Sequence, residues 1–381
     1  MATINGTSGD NALNGTSGND IINPGLGEDT VDGGGGTDQL VFNYATSGGR
    51  IYYSSNSVPS EGSGVIYSGS NGVTFTNIEV FNLTGSKYDD VLLGGNYNDT
   101  LSGNSGNDLI DGGSGADVLD GGTGVDTLRR DLSQFTKGST VDNTGTKINL
   151  IDQTVASNFE NLDLILGSGN DIIKTGLGED TVDGGGGTDQ LVFNYATSGG
   201  RIYYSSNSVP SEGSGVIYSG SNGVTFTNIE VFNLTGSKYD DVLLGGIYSD
   251  TLIGGNGNDT LTGVDQTNQI TSIDTLTGGI GADTFVLSNE DEVFYNDQSS
   301  SKAGLTNYAL ITDFNSSQDQ IQLNGSADLY ILGASPVSGK AGTAIYLDTN
   351  GNNILNSTDE LITIVQGKTG LNLTADYFVY I

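Results

Sequence analysis

The sequence predicts an all-β chain wound as a solenoid of nine-residue rungs, and three observations predict it. The tract "GNSGNDLIDGGSGADVLDGGTGVDTLR" at 103–129 repeats glycines, then an aspartate (Asp108, Asp117, Asp126), then an aliphatic residue two places on (Ile110, Leu119, Leu128). Glycine, at 61 of 381 residues, is too frequent for helices. Apolar residues reach only 34%, too few for a large globular core.

The unit is G-G-x-G-x-D-x-U-x, with U a large aliphatic, and "GGGGTDQLV" (33–41) and "GGNGNDTLT" (254–262) match it in full. Its phase divides the chain. A first array (1–41) is followed by a β-rich insert (42–84), a second array (85–129) and another insert (130–165). A third array (166–192), an insert (193–235) and a fourth array (236–286, with an expanded unit at 263–277) lead to a C-terminal β cap (287–381). The inserts 42–84 and 193–235 are copies, inside an identity at an offset of 151 that runs from Gly25 to Gly95. "NFENLDL" (158–164) echoes "NIEVFNL" (77–83 and 228–234), an alternation that predicts a strand returning the chain to the stack. Whether the inserts widen the coil or leave it as hairpins stays open at this point. Beyond 286, "ALITDF", "QIQL", "AIYLD" and "ELITIVQG" predict short strands.

A three-residue strand buries only its middle member, which here is U. The other six residues reverse the chain, where glycine tolerates positive φ and close backbone approach. Two units make one coil of eighteen residues, and successive coils stack as parallel strands. Burying one Leu or Ile gains roughly 1.5–3 kcal/mol, whereas ordering nine residues costs about 1–2 kcal/mol each. Stacking also sets carboxylates about 4.8 Å apart. A hard divalent cation between turns relieves both deficits, because Ca²⁺ takes six to eight oxygens and tolerates irregular geometry better than Mg²⁺.

Charge and missing residues narrow the chemistry. A formal charge of −34 repels nucleic acid and anionic membranes and collects cations. There is no Cys and no His, which excludes disulfides, thiolate sites, H-E-x-x-H zinc chemistry and a Ser-His pair. No apolar run is long enough to span a membrane, and "MATINGTSGD" has neither the basic nor the apolar part of a Sec signal. The Gly-rich runs lack the Lys-Ser/Thr of a phosphate loop, and no separate domain surrounds a pair of carboxylates. The expectation is a non-enzyme.

The phased units resemble the repeats-in-toxin (RTX, hemolysin-type) calcium-binding family over most of 6–286. That resemblance implies a right-handed parallel β-roll, export by type I secretion machinery, and folding triggered by extracellular calcium. Carried over by position, the calcium ligands at the sixth place are Asp20, Asp29, Asp38, Asp90, Asp99, Asp108, Asp117, Asp126, Asp171, Asp180, Asp189, Asp241, Asp250, Asp259 and Asp283. Units with Tyr88, Tyr97, Tyr239 or Tyr248 at the fourth place are expected to bind weakly or only to continue the coil.

In the cap, "DTNGNNILNSTDE" sets Asp348, Asn350, Asn352, Asn356 and Asp359 at places 1, 3, 5, 9 and 12 of a loop. It resembles EF-hand and dockerin calcium loops, with Asn353 where Gly is usual; an Asn/Asp-rich hairpin turn is the other reading. The ending "ADYFVYI" resembles the uncleaved signal of type I secreted proteins and also reads as a last edge strand. The tail from "GADTFVL" onward is similar to the ends of large secreted calcium-binding proteins of cyanobacteria. Tyr44, Tyr52, Tyr53 and Tyr67, with Arg50, recur as Tyr195, Tyr203, Tyr204, Tyr218 and Arg201; they either pack the insert strands or stack on sugars. The expected function is a secreted or cell-surface, non-catalytic calcium-binding structural protein, and the alternative is a module adhering to cell-surface polysaccharide through those tyrosines.

Overall fold

A computed structural model describes residues 1–54, 59–205, 208, 210–264, 272–296 and 304–381. The chain divides into two compact units, Met1–Val182 and Asp183–Ile381. Both are built from short, mainly parallel strands. Part of the expanded unit, 265–271, lies outside the described residues.

In the first unit the strands Val91–Leu93, Thr100–Ser102, Leu109–Asp111 and Val118–Asp120 are three residues each, and in each only the middle residue is buried. Pairing runs eighteen residues apart: Leu92 sits on Ile110, Leu101 on Leu119, and Ile110 on Leu128. Alternate nonapeptides therefore enter alternate sheets, and two aliphatic ladders face one another across a narrow interior. Two periods of the sequence make one turn of the coil.

The inserts do both things left open above. Val80–Thr84 rejoins one ladder over Gln39–Asn43, with Leu40 on Phe81 and Phe42 on Leu83. Asn71–Thr76 rejoins the other over Glu28–Asp32, with Val31 on Phe75. The rest, Ile51–Tyr53 and Gly64–Ser68, folds back antiparallel on the free edge of Asn71–Thr76. So each copy supplies two rungs and one attached meander. The middle insert also returns to the stack, with Ala156 on Leu119 and Leu162 on Leu128.

The second unit repeats this plan, with Leu234 on Leu252 and Leu243 on Leu261, and then lengthens the spacing to twenty-four, Leu252 on Leu276 and Leu261 on Phe285. Parallel pairing continues past the last regular repeat: Leu276 carries Ile311, Phe285 carries Ile321, and Ile321 carries Phe378 of the final strand. Two antiparallel strands, Tyr330–Ala334 and Gly342–Leu347, finish one sheet over a cluster of Tyr308, Leu310, Ala344, Tyr346, Leu361 and Ile364. Among the described residues no helix is long and apolar enough to cross a membrane.

Candidate metal centres

All fifteen sixth-place aspartates are buried, none more than 3% exposed. One oxygen of the carboxylate has a structural task. Oδ1 of Asp38, Asp108, Asp117, Asp126 and Asp259 accepts the main-chain N–H of the aspartate one coil earlier, at 2.7–2.8 Å. This charge-assisted bond stitches coil to coil along the turns, as U does along the strands.

The second oxygen divides the turns into two states. In open turns the second and fourth places both have positive φ: Gly25 and Gly27, Gly34 and Gly36, Asn104 and Gly106, Gly122 and Gly124, Gly255 and Gly257, Gly279 and Gly281. Oδ2 of the matching Asp29, Asp38, Asp108, Asp126, Asp259 and Asp283 is buried without a hydrogen-bond partner, and so is Oδ2 of Asp180. In closed turns the N–H at the second place donates to Oδ2 instead: Thr16 to Asp20, Ser86 to Asp90, Gly95 to Asp99, Ser237 to Asp241 and Gly246 to Asp250, at 2.5–2.7 Å. Four of these five carry tyrosine at the fourth place, where positive φ is unfavourable for a bulky residue. Gly18 sits in the fifth, so glycine there permits the open turn without imposing it.

A buried, unpaired carboxylate oxygen is costly unless a cation meets it. Burial first, and neighbouring carboxylates second where they lie close, push Asp108 and Asp259 up to about 7, Asp283 to about 6 and Asp180 to about 8. Carbonyl oxygens converge on the same places. A Cβ built on Gly254 would overlap Asp259 Oδ2 and come within 2.5 Å of the Gly278 carbonyl in the next coil. On Gly121 it would meet the Asn158 carbonyl, with Asp126 Oδ2 at 2.9 Å. First-place glycine thus keeps open a hollow lined by oxygen. Among the described residues no three acidic side chains converge on one point, so carbonyls supply part of any ligand set. Hard, all-oxygen and carbonyl-rich, that set fits calcium and not a transition metal.

Residues beyond the sixth-place aspartates of the regular repeats share in this machinery. Glu79, Glu160 and Glu230 accept the N–H of Asp38, Asp126 and Asp189 at 2.7–2.8 Å, as the next aspartate does elsewhere. Asp274 and Asp319 do the same for Asp250 and Asp283. Each stands two places before a ladder residue (Phe81, Leu162, Phe232, Leu276, Ile321), so the "NIEVF" and "NFENL" echoes are the fourth to eighth places of degenerate units.

In the cap loop, Asp348 accepts N–H groups from Gly351 and Asn353, which hold its carboxyl below the usual range. Asp359 Oδ2 accepts from Asn356, its Oδ1 is buried without a partner, and Asn353 takes φ 56°. Asn350 and Asn352 are joined to one another by a bond from Asn352 N–H to Asn350 Oδ1. The tyrosines divide. Tyr44 and Tyr195 are buried, and the hydroxyls of Tyr53 and Tyr204 donate to the carbonyls of Leu93 and Leu244. Tyr52 and Tyr67 instead form a pair 5.2 Å apart at the surface, with the Arg50 guanidinium over the Tyr52 ring, and Tyr203, Tyr218 and Arg201 repeat it.

A family model, the RTX calcium-binding nonapeptide repeat, matches residues 5–40, 93–128, 163–192, 235–270 and 271–291. No curated protein matches the chain. Among solved structures, extracellular lipase LipA from Serratia marcescens is 18% identical over 80% of this chain, with a TM-score of 0.21. The match spans 40% of that lipase. The stretches matched by the repeat model include the turns where carboxylates stack coil upon coil, and this chain therefore carries RTX calcium-binding nonapeptide repeats, which bind several Ca²⁺ ions.

Proposed function

We propose that the chain is a secreted, non-catalytic protein whose roll folds as it takes up extracellular calcium, and that it serves structurally at the cell surface or in the matrix. The observation that carries this reading is the row of buried Oδ2 atoms left without a donor in the open turns. Ions there would be held by Asp29, Asp38, Asp108, Asp126, Asp180, Asp259 and Asp283 with carbonyls of adjacent coils; Asp171 and Asp189 are further candidates. Closed turns at Asp20, Asp90, Asp99, Asp241 and Asp250 continue the coil without an ion. The loop Asp348–Asp359 adds a cap site, and the Asp376–Ile381 ending serves as the type I export signal. Metal binding is then folding free energy, and a chain kept extended in low calcium suits passage through an export channel.

Counting bound calcium by equilibrium dialysis tests the assignment. Asp126→Asn and Asp259→Asn should each remove one ion or weaken it by about tenfold, roughly 1.4 kcal/mol, while Asp90→Asn and Asp241→Asn leave the count unchanged. Equal losses from both groups would overturn it.

The tyrosine pairs, with Tyr52, Tyr203 and Tyr218 exposed and Tyr67 half-buried, support a second reading, adhesion to polysaccharide. A glycan array in calcium should then show binding that Tyr52→Ala with Tyr67→Ala reduces and the same changes at Tyr203 and Tyr218 abolish. No retained glycan would reject it.

A further inference from the structure

One carboxylate in an open turn is not orphaned. Gly113 and Gly115 both have positive φ, so the turn of 112–120 has the open backbone, yet Asp117 Oδ2 accepts a hydrogen bond from Arg130 Nη1 at 3.0 Å. Arg130 lies on the strand Thr127–Asp131, two residues past Leu128 and on the same inward face. It is 1% exposed, and among the described residues it is the one buried basic side chain. Its Nη2 donates to Asp152 and, at 3.0 Å, to Thr154 Oγ1.

The guanidinium stands where the other open turns keep a hollow. A Cβ built on Gly112 would meet Asp117 Oδ2 and, at 2.9 Å, Arg130 Nη1. At Gly254 and Gly121 the three nearest atoms to the same Cβ are a main-chain carbonyl oxygen and two atoms of the aspartate side chain, with no cationic nitrogen among them. The partner coil has changed in step. Asp117 N–H donates not to a carboxylate but to Thr154 Oγ1 at 3.2 Å, and that hydroxyl lies 3.2 Å from the Gly115 carbonyl, which takes its proton. Where other returning strands bring Glu79, Glu160 or Glu230 to the sixth place, this one brings a neutral residue. The sixth place loses its negative charge, Asp152 two residues earlier supplies a carboxylate to the guanidinium instead, and the cation that fills the hollow is monovalent.

We propose that Arg130 is a built-in substitute for calcium: its guanidinium permanently occupies the metal position of the 112–120 turn, so Asp117 ligates no ion. The inference rests on the reading that open turns hold calcium. Two cations do not share one hollow, and a planar fork that holds Asp117, Asp152 and Thr154 at once leaves Asp117 Oδ2 already paired. The second unit offers an uncharged parallel. Tyr295 donates its hydroxyl to Asp274 Oδ2 at 2.6 Å, in the hollow beside Gly263.

Calcium counting on the full chain tests this. Asp117→Asn should bind as many ions as wild type, because no ion is lost with the carboxylate. Arg130→Met should bind one more, and Arg130→Met with Asp117→Asn should return to the wild-type count. If Asp117→Asn lowers the count by one, the proposal fails, whether or not Arg130→Met folds; a folded Arg130→Met with the wild-type count also overturns it. Asp126→Asn in the same series separates the two ideas: if it too leaves the count intact, the reading of open turns is at fault and not the role of Arg130.

Discussion

Calcium-depleted protein near neutral pH is expected to lose most of its far-UV β-sheet signal and to recover it in millimolar calcium. A nonapeptide buries one large side chain, about 1.5–3 kcal/mol, against about 1–2 kcal/mol of ordering for each of nine residues, so the ladders alone do not hold the coil. The turns add a pH-dependent penalty. Asp108 and Asp259 rise from 3.8 to about 7 and Asp180 to about 8 because burial disfavours their charged form. A carboxyl raised on folding favours the fold while protonated and opposes it once ionised. The metal-free roll should therefore be most stable below about pH 4 and lose that stability as pH climbs through 6 to 8, the range of those values. Calcium reverses the trend, since it binds the ionised form and its affinity rises with pH. Circular dichroism across pH, with and without calcium, reads both. Equal β content at neutral pH in the two conditions would remove calcium from the folding of this chain.

Gly103→Ala should have the second largest effect, although Gly103 has no positive φ. Its added methyl would overlap Asp108 Oδ2 and the Gly121 carbonyl, and lie 2.8 Å from Asp108 Cγ. Carboxylate and backbone would both have to move in a turn that stacks on two others, a cost of about 2–4 kcal/mol, and the hollow would be filled. The expected result is a lower melting temperature in calcium together with one ion fewer. Gly48→Ala is the control: a Cβ there meets nothing within 4 Å, and it should stay within about 0.5 kcal/mol of wild type. Matching thermal shifts for the two would sink the idea that first-place glycine is kept for the space beside it.

The parallel ladder was legible in the sequence because its signal repeats. A residue at every ninth place that is nearly always aliphatic fixes which side chains are buried, and Leu101 on Leu119 or Leu243 on Leu261 follows from arithmetic. Glu79, Glu160 and Glu230 were not legible, because the inserts before them reset the count and glutamate replaces the expected aspartate. The two turn states hide for another reason. Whether Oδ2 faces an N–H or an open hollow depends on φ at two places, and Gly18 lies in a closed turn while Gly36 lies in an open one. Arg130 is a tertiary fact, with partners 13, 22 and 24 residues away. Among the tyrosines, the sequence shows an aromatic cluster but not its sides; strand alternation sends Tyr53 inward to Leu93 and Tyr52 outward.

The closed turns occupy particular stations. Behind each copied insert come two of them, Asp90 with Asp99 and Asp241 with Asp250, before the first open one at Asp108 or Asp259. Two nonapeptides are one winding. Each copied insert is thus trailed by a winding that needs no mineral, and the next aspartate meets a finished wall on one side. Uptake would then advance directionally from such walls, each captured ion preparing the berth for its successor, in the manner of a zipper with a pre-closed first tooth.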